Sequence, residues 1–340
     1  MSQRMKTAAA KLGILAMLSI GPVVLGQTTL HTTTTLVVVP TVVQTSNHET
    51  VFSLTANDFV LTDNGTPQKV SVEAGSNRPL SLVVLIQTGG IARGQFPNYA
   101  DLETVLERVL GGAPNRASIV NFDSRPEAAS PFTSDLAEWK DAIDHPDQGD
   151  SGAAIFDGIA FGMDMLKREP VSNRRAILLI SQEHDSGSKV SAKEIVRRLG
   201  ETNTAIYSMT FSAEKTEFRQ AFKDAPHLNP PIQTGAGQMQ AYFNLTEPLK
   251  LVLGGMRKNM SAEMAQLSGG ETISFDSRNE LQNGLNGMAN HIANSYILSF
   301  TPTSNAPGLH AIAVRVPSHP EIVVSARGSY WAAEANGETQ

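Results

Sequence analysis

From Leu80 onward the chain alternates nearly continuous apolar runs with helical stripes, a pattern that few architectures accept. The runs cover residues 80–86, 117–122, 176–181, 205–211 and 271–275. A strand covered on both faces reads as unbroken Val, Ile and Leu, because neither side meets water. Between the runs lie stripes at helical spacing. One is Tyr99, Leu102, Leu106, Val109 and Leu110, stopped by Gly111 and Gly112; another is Ile155, Ile159, Met163 and Leu166. Ser191 to Glu194 and Ser277 to Glu280 have capping-box spacing, and the second opens a stripe of Leu281, Leu285, Met288 and Ile292. Such repetition of strand and helix predicts an α/β fold with a doubly wound, mainly parallel sheet.

The flanks of this segment read as β. Residues 30–43 are rich in Thr and Val, and Pro40 among them predicts an edge position or a bulge. Asp63-Asn64-Gly65 is a hairpin turn signal between strands at 59–62 and 68–73, because Asn and Gly tolerate positive φ. Further strands are expected at 296–302, 309–316 and 322–326. Neither flank has enough strands for a core of its own. Residues 27–78 and 295–331 are therefore expected to pair across the sequence as a small β-sandwich, with the α/β segment 79–294 inserted in it. Residues 213–248, with Pro226, Pro230 and Pro231, read as a long excursion from the sheet, and 332–340 as a flexible tail.

The first residues carry a different message. Arg4, Lys6 and Lys11 precede an apolar stretch at 12–25 that is short for a bilayer and contains Gly21-Pro22. Val24 and Gly26 are small residues before Gln27, so 1–26 reads as a signal peptide. This predicts export to the periplasm or beyond, with no membrane span after signal removal. The 340 residues include no cysteine, so no disulfide supports the fold, and a 41% apolar composition must supply the core. A net charge of -6, without a basic run, argues against nucleic acid as a partner.

Several segments, in order, resemble the bacterial exported VWFA-related family of acidobacterial type, whose central domain is von Willebrand factor A-like. Leu54 to Gln68 is similar to that family's L-x-x-x-D-F-x-x-x-D-x-G-x-x-Q hairpin, through Asp58, Phe59, Asp63, Gly65 and Gln68. Pro79 to Ile86 resembles its first sheet strand. Phe122-Asp123, Ile155-Phe156-Asp157-Gly158 and Arg174 to Ser181 follow. Leu267 to Gly270, Tyr296 to Phe300 and Ala326 to Trp331 complete the match.

The resemblance implies a magnesium adhesion site fed by three loops at the carboxyl ends of strands. Such a site needs hydroxyl and carboxylate oxygens. Where the first loop would read Asp-x-Ser-x-Ser, this chain has Gln87, Gly89 and Ile91. Where the second would place a Thr stands Ala153, and where the third would place an Asp stands Gln182. The changes run in one direction: acids to neutral amides, hydroxyls to carbon or to nothing. No bound metal and no cofactor are expected. Asp123, Asp150 and Asp185, with Ser151 and Glu183 nearby, are the acids that a displaced metal site would use.

Catalytic motifs do not emerge. The chain has no Gly-x-Ser-x-Gly elbow, P-loop or His-Glu-x-x-His, and its eight histidines are scattered. His184, Asp185, Ser186 and Ser188 are too close in sequence for triad geometry, which brings distant segments together. His291 and His310 read as structural, and Asp157 as a helix-dipole residue. The sequence thus predicts a non-enzymatic interaction module, adhesion- or scaffold-like, that meets a protein partner in the cell envelope or outside. A metal-dependent adhesion protein with displaced acids is the alternative, and a hydrolase built on 213–248 a further one.

Overall fold

A computed structural model describes residues 36–47, 49–112, 114–146, 149–212, 259–304 and 306–332. The expected signal peptide at 1–26, the excursion at 213–248 and all but the first residue of the 332–340 tail lie outside the described residues.

The central sheet grows from its most apolar run. Strand β5 (Leu80–Gln87) is buried at all eight positions, flanked in parallel by β6 (Arg116–Phe122) and β8 (Arg174–Gln182). Strand β9 (Thr204–Phe211) pairs with β8, and the short β10 (Thr272–Ser274) with β9. At the other edge β7 (Pro126–Ala128) runs antiparallel to β6. The order is β10-β9-β8-β5-β6-β7, a doubly wound arrangement with its topological switch between β5 and β8.

Helices cover both faces. On one side lie α1 (Leu102–Leu110), α2 (Leu136–Asp144) and α6 (Arg278–Ala293), and their core includes Leu106, Trp139 and Leu285. On the other lie α3 (Ile155–Leu166), α4 (Ala192–Thr202) and α5 (Met260–Ser268), around Ile159, Met163 and Ile195. Both Ser-x-x-Glu boxes start helices, but only half of each forms as expected. The Ser191 and Ser277 hydroxyls accept from the Glu194 and Glu280 N–H groups, each at 3.3 Å. The Glu194 carboxylate turns instead to Arg197 and Arg198, and that of Glu280 accepts from the Asp276 N–H. Helix α2 is not legible as a stripe. It starts on an Asp135 cap to the Ala137 N–H, and Trp139 anchors it with its indole N–H on the Ala117 carbonyl.

The N- and C-terminal strands interleave in two small antiparallel sheets. One has the order β13 (Val323–Ala326), β1 (Val37–Gln44), β11 (Tyr296–Phe300), β4 (Ser71–Ala74). The other has β14 (Ser329–Ala332), β12 (Gly308–Arg315), β2 (Val60–Asp63), β3 (Thr66–Gln68). Val39, Leu61, Leu298, Phe300, Ile312 and Tyr330 join both in one core. Two expectations change. The hairpin at Asn64 (φ 46°) and Gly65 (φ 82°) forms, but β3 ends at Gln68 and residues 71–74 cross to the other sheet. Pro40 is in an interior strand, not at an edge. It sits one residue before the ladder to β13 begins at Thr41, so no rung on that flank needs its missing N–H.

Buried polar groups in this region are paired. His310 Nδ1 lies 2.8 Å from Asp63 Oδ1, and Tyr330 donates to Asp63 Oδ2 at 2.8 Å. His291, on α6, meets Gln44 and Glu271, so both histidines have structural partners. The buried Arg327 guanidinium donates to Ser329 O (2.6 Å), Leu199 O (2.9 Å) and Asn203 Oδ1 (2.9 Å), tying the junction of β13 and β14 to the end of α4. Desolvation pulls its pKa down to about 10.

Candidate functional site

The carboxyl ends of β5, β6 and β8 deliver three sets of residues to one place, where doubly wound sheets present their ligand sites. Gln87 is fully buried there. Its carbonyl accepts from the Gln182 N–H at 2.9 Å, and its amide donates to Gln182 Oε1 and to Gly89 O, each at 3.1 Å. Gln182 in turn donates to His184 O at 2.8 Å. Two carboxylates side by side would repel and hold a proton or cation between them. Here instead the Gln87 side-chain amide donates to the Gln182 amide oxygen and accepts from the Gln182 backbone N–H, with no net charge.

Glycines let the loops interlock over this pair. A Cβ on Gly89 would lie 2.7 Å from Asp123 Cβ and closer still to the Gly152 carbonyl oxygen. One on Gly149 would meet the Gly89 nitrogen at 2.8 Å, and one on Gly152 would overlap Ser124. Gly90, at φ +57°, donates to Asp150 O at 2.7 Å. Ala153 is buried and makes a two-bond bridge with Ser186, at 3.1 and 2.8 Å. Ile91 departs from this group. It is the second residue of a 3-10 stretch (Gly90–Tyr99) and packs, partly buried, against the core on the α1, α2 and α6 side.

The acids nearby serve the backbone. Asp123 accepts from the Arg125 N–H (2.8 Å) and the Asp150 N–H (2.9 Å). Asp150 accepts from Gly152 (2.7 Å) and Ser124 (3.2 Å) N–H groups; the Ser124 hydroxyl first, then these N–H groups, hold its carboxyl below the usual range. Asp185 stands apart at the start of α3, taking the Phe156 N–H at 3.1 Å and the Ser188 hydroxyl at 2.5 Å. Asp157 does more than face a helix dipole: it accepts from Lys189 and Val190 and pins that loop. The structure therefore gathers Gln87, Gly89, Gln182, Asp123, Asp150 and Ala153, and leaves Ile91 and Asp185 to other tasks. Among the described residues no three His, Cys, Asp or Glu side chains gather in a metal-holding group.

The exposed part of this surface includes Arg93, Arg125, Asp150, Ser151, His184 and Ser186. Sequence reasoning did not single out the two arginines. Arg93 reaches back to the Gly149 carbonyl, a link between segments far apart in sequence. No helix of the described residues is long and apolar enough to cross a membrane.

No protein-family model matches the chain, and no curated protein matches it. Among solved structures it is similar to the VWA domain of SpRpn10, 18% identical with a TM-score of 0.33, over 44% of this chain and 83% of that one. It is also similar to the conserved hypothetical protein BatB from Bacteroides thetaiotaomicron (12%, 0.39, 63% and 98%). A third is the vWF domain of the type V pili tip protein Mfa5 from Porphyromonas gingivalis (18%, 0.29, 32% and 39%). The likeness is one of fold, and no residue role is carried over from it.

Proposed function

We propose that this chain is an exported, non-enzymatic protein-interaction module whose strand ends form a binding face without a metal ion, a degenerate version of a metal-dependent adhesion site. The carrying observation is the Gln87–Gln182 amide pair. It fills the position of two acids with neutral groups: the Gln87 amide donates to Gln182 Oε1 at 3.1 Å and accepts from the Gln182 backbone N–H at 2.9 Å. The close approach of Gly89 to Asp123 and Gly152 supports the same reading, since no side-chain ligand fits there. Asp123 and Asp150 are engaged by backbone N–H groups as ties between the loops. Binding then falls to the exposed rim, which includes Arg93, Arg125, Asp150, Ser151, His184 and Ser186, displayed on a rigid scaffold.

A thermal melt tests the metal-free part, because a ligand that binds only the folded form raises the melting point. Mg²⁺, Ca²⁺ and Mn²⁺ are expected to leave it unchanged relative to chelator; a rise reversed by chelator refutes the proposal. For the face, Arg125→Glu with Ser151→Glu is expected to abolish capture of a partner that the unaltered chain retains from envelope fractions. Equal capture moves the binding surface elsewhere. For export, N-terminal sequencing of the protein secreted by a bacterial host is expected to begin at Gln27.

A further inference from the structure

Among the described residues the β-sandwich is open along one side, and the hydrogen-bond pattern shows which groups are left there. Strand β12 pairs with β14 through residues 308–311 and, on its other flank, with β2 through 312–315. The Ile312 N–H meets Gly328 O at 2.9 Å on the β14 flank, where that pairing stops. Successive residues of a strand turn their backbone groups to opposite flanks, so Val314 directs its N–H and C=O to this open side. Strand β13 is an edge strand among the described residues. Arg327 donates toward β1, to Pro40 O, so Val324 and Ala326 direct their backbone groups away from it. β13 reads Val-Val-Ser-Ala, with none of the charges or prolines that commonly guard an edge.

Between β12, β13 and α5 lies a groove of about 800 Å³. Ile312 and Val316 of the sandwich core, Val324 and Leu267 give it apolar walls. Glu263 projects from α5 into the same lining, half-buried, and its carboxylate has no cation or donor among the described residues. Desolvation pushes that carboxyl up. Arg315 and His319 stand at the rim, both exposed, and His319 is paired with Glu321.

We propose that this groove docks an extended peptide segment of a partner protein, which adds as a strand to the free edge of β13, seats alternate apolar side chains between the sandwich and α5, and sets a Lys or Arg against Glu263. Unpaired N–H and C=O groups at strand spacing are matched in series only by another extended backbone. A small apolar ligand or an acyl chain would cover the walls and leave both the edge and the carboxylate unsatisfied. This surface is separate from the strand-end face, and the proposal holds whether or not that face binds.

The test uses the full chain and a labelled peptide of about six residues, alternating Val and Thr with one central Lys. Saturable binding by fluorescence anisotropy is expected. Glu263→Lys should weaken it by about tenfold or more, and a peptide with Glu for Lys should then prefer the variant. Glu263→Gln, a milder change, should show an intermediate loss with an unaltered circular dichroism spectrum. Amide exchange should slow at Val324 and Ala326 on binding but not at Ser325, whose N–H already faces β1. Absence of saturable binding, indifference to the charge swap, or no protection at Val324 and Ala326 would each overturn the proposal.

Discussion

The strand ends of the central sheet and the open side of the sandwich are both surfaces made by several chain segments, yet they treat polar groups in opposite ways. At the strand ends Gln87, Gln182, Asp123 and Asp150 all have partners within 3.2 Å, and glycines draw the loops into contact. Along the sandwich the outward backbone groups of β13 and the Glu263 carboxylate have none among the described residues. Closed polar networks rigidify, whereas an exposed strand edge invites a further backbone. The first surface resembles a finished platform and the second a place that another chain completes.

The largest effect is expected at Gly89. Gly89→Ala is expected to destabilise by more than about 3 kcal/mol in urea unfolding, because Gly152 and Asp123 leave no room for a methyl. Gly65→Ala, at φ +82° with nothing within 4 Å, should cost only about 1 kcal/mol from backbone conformation. Equal losses would show that the interlock contributes nothing.

Converting the amide pair to acids, Gln87→Asp with Gln182→Asp, should cost about 2–3 kcal/mol at neutral pH. Two adjacent carboxylates raise each other's pKa in the fold above the unfolded value. The linked stability is therefore present at low pH and lost as pH rises, so the deficit should shrink on acidification. A deficit independent of pH would place the cost in packing instead. Arg327→Met tests a paired group on the sandwich side of the molecule. It leaves the Ser329 and Leu199 carbonyls without their donor, and a loss of about 2 kcal/mol is expected from chemical denaturation.

The smallest effect is expected at the unpaired carboxylate. Glu263→Gln should stabilise by less than about 1 kcal/mol, since the half-buried group is partly screened by water. With its folded pKa raised, the unaltered chain is favoured at low pH and loses that advantage as pH rises. The gain from Gln should therefore appear at neutral pH and vanish in acid. Destabilisation by Gln would mean that the carboxylate has a partner and that the contrast between the two surfaces is false.

Much of the fold is readable without coordinates. Runs such as 80–86 and 176–181, short and rich in Val, Ile and Leu, read as buried strands, and Ser277 marks the start of α6 because its hydroxyl replaces a missing helix partner. Helix α2 escapes because Trp139, Ala142 and Ile143 make too thin a stripe. At the candidate site, the residue types Gln87, Gly89, Ala153 and Gln182 are visible at once. Their joint geometry is not, since Gln87 and Gln182 are 95 residues apart in the chain. Ile91 looks like a member of the same loop, yet the turn at Gly90 sends it to the core.

By itself, then, the sequence determined the alternation of buried strands and amphipathic helices, and it put Gln87, Gly89, Ala153 and Gln182, none of them an acid or a hydroxyl, in the strand-end loops. Those outcomes depend on local periodicity and on what each side chain can donate or accept. Only the tertiary structure decided that two distant amides meet, that three glycines let loops touch, and that β13 parts from β12 to leave an open edge. Such features arise from pairing register and backbone approach, which no single segment specifies, because each is shared between strands far apart along the chain.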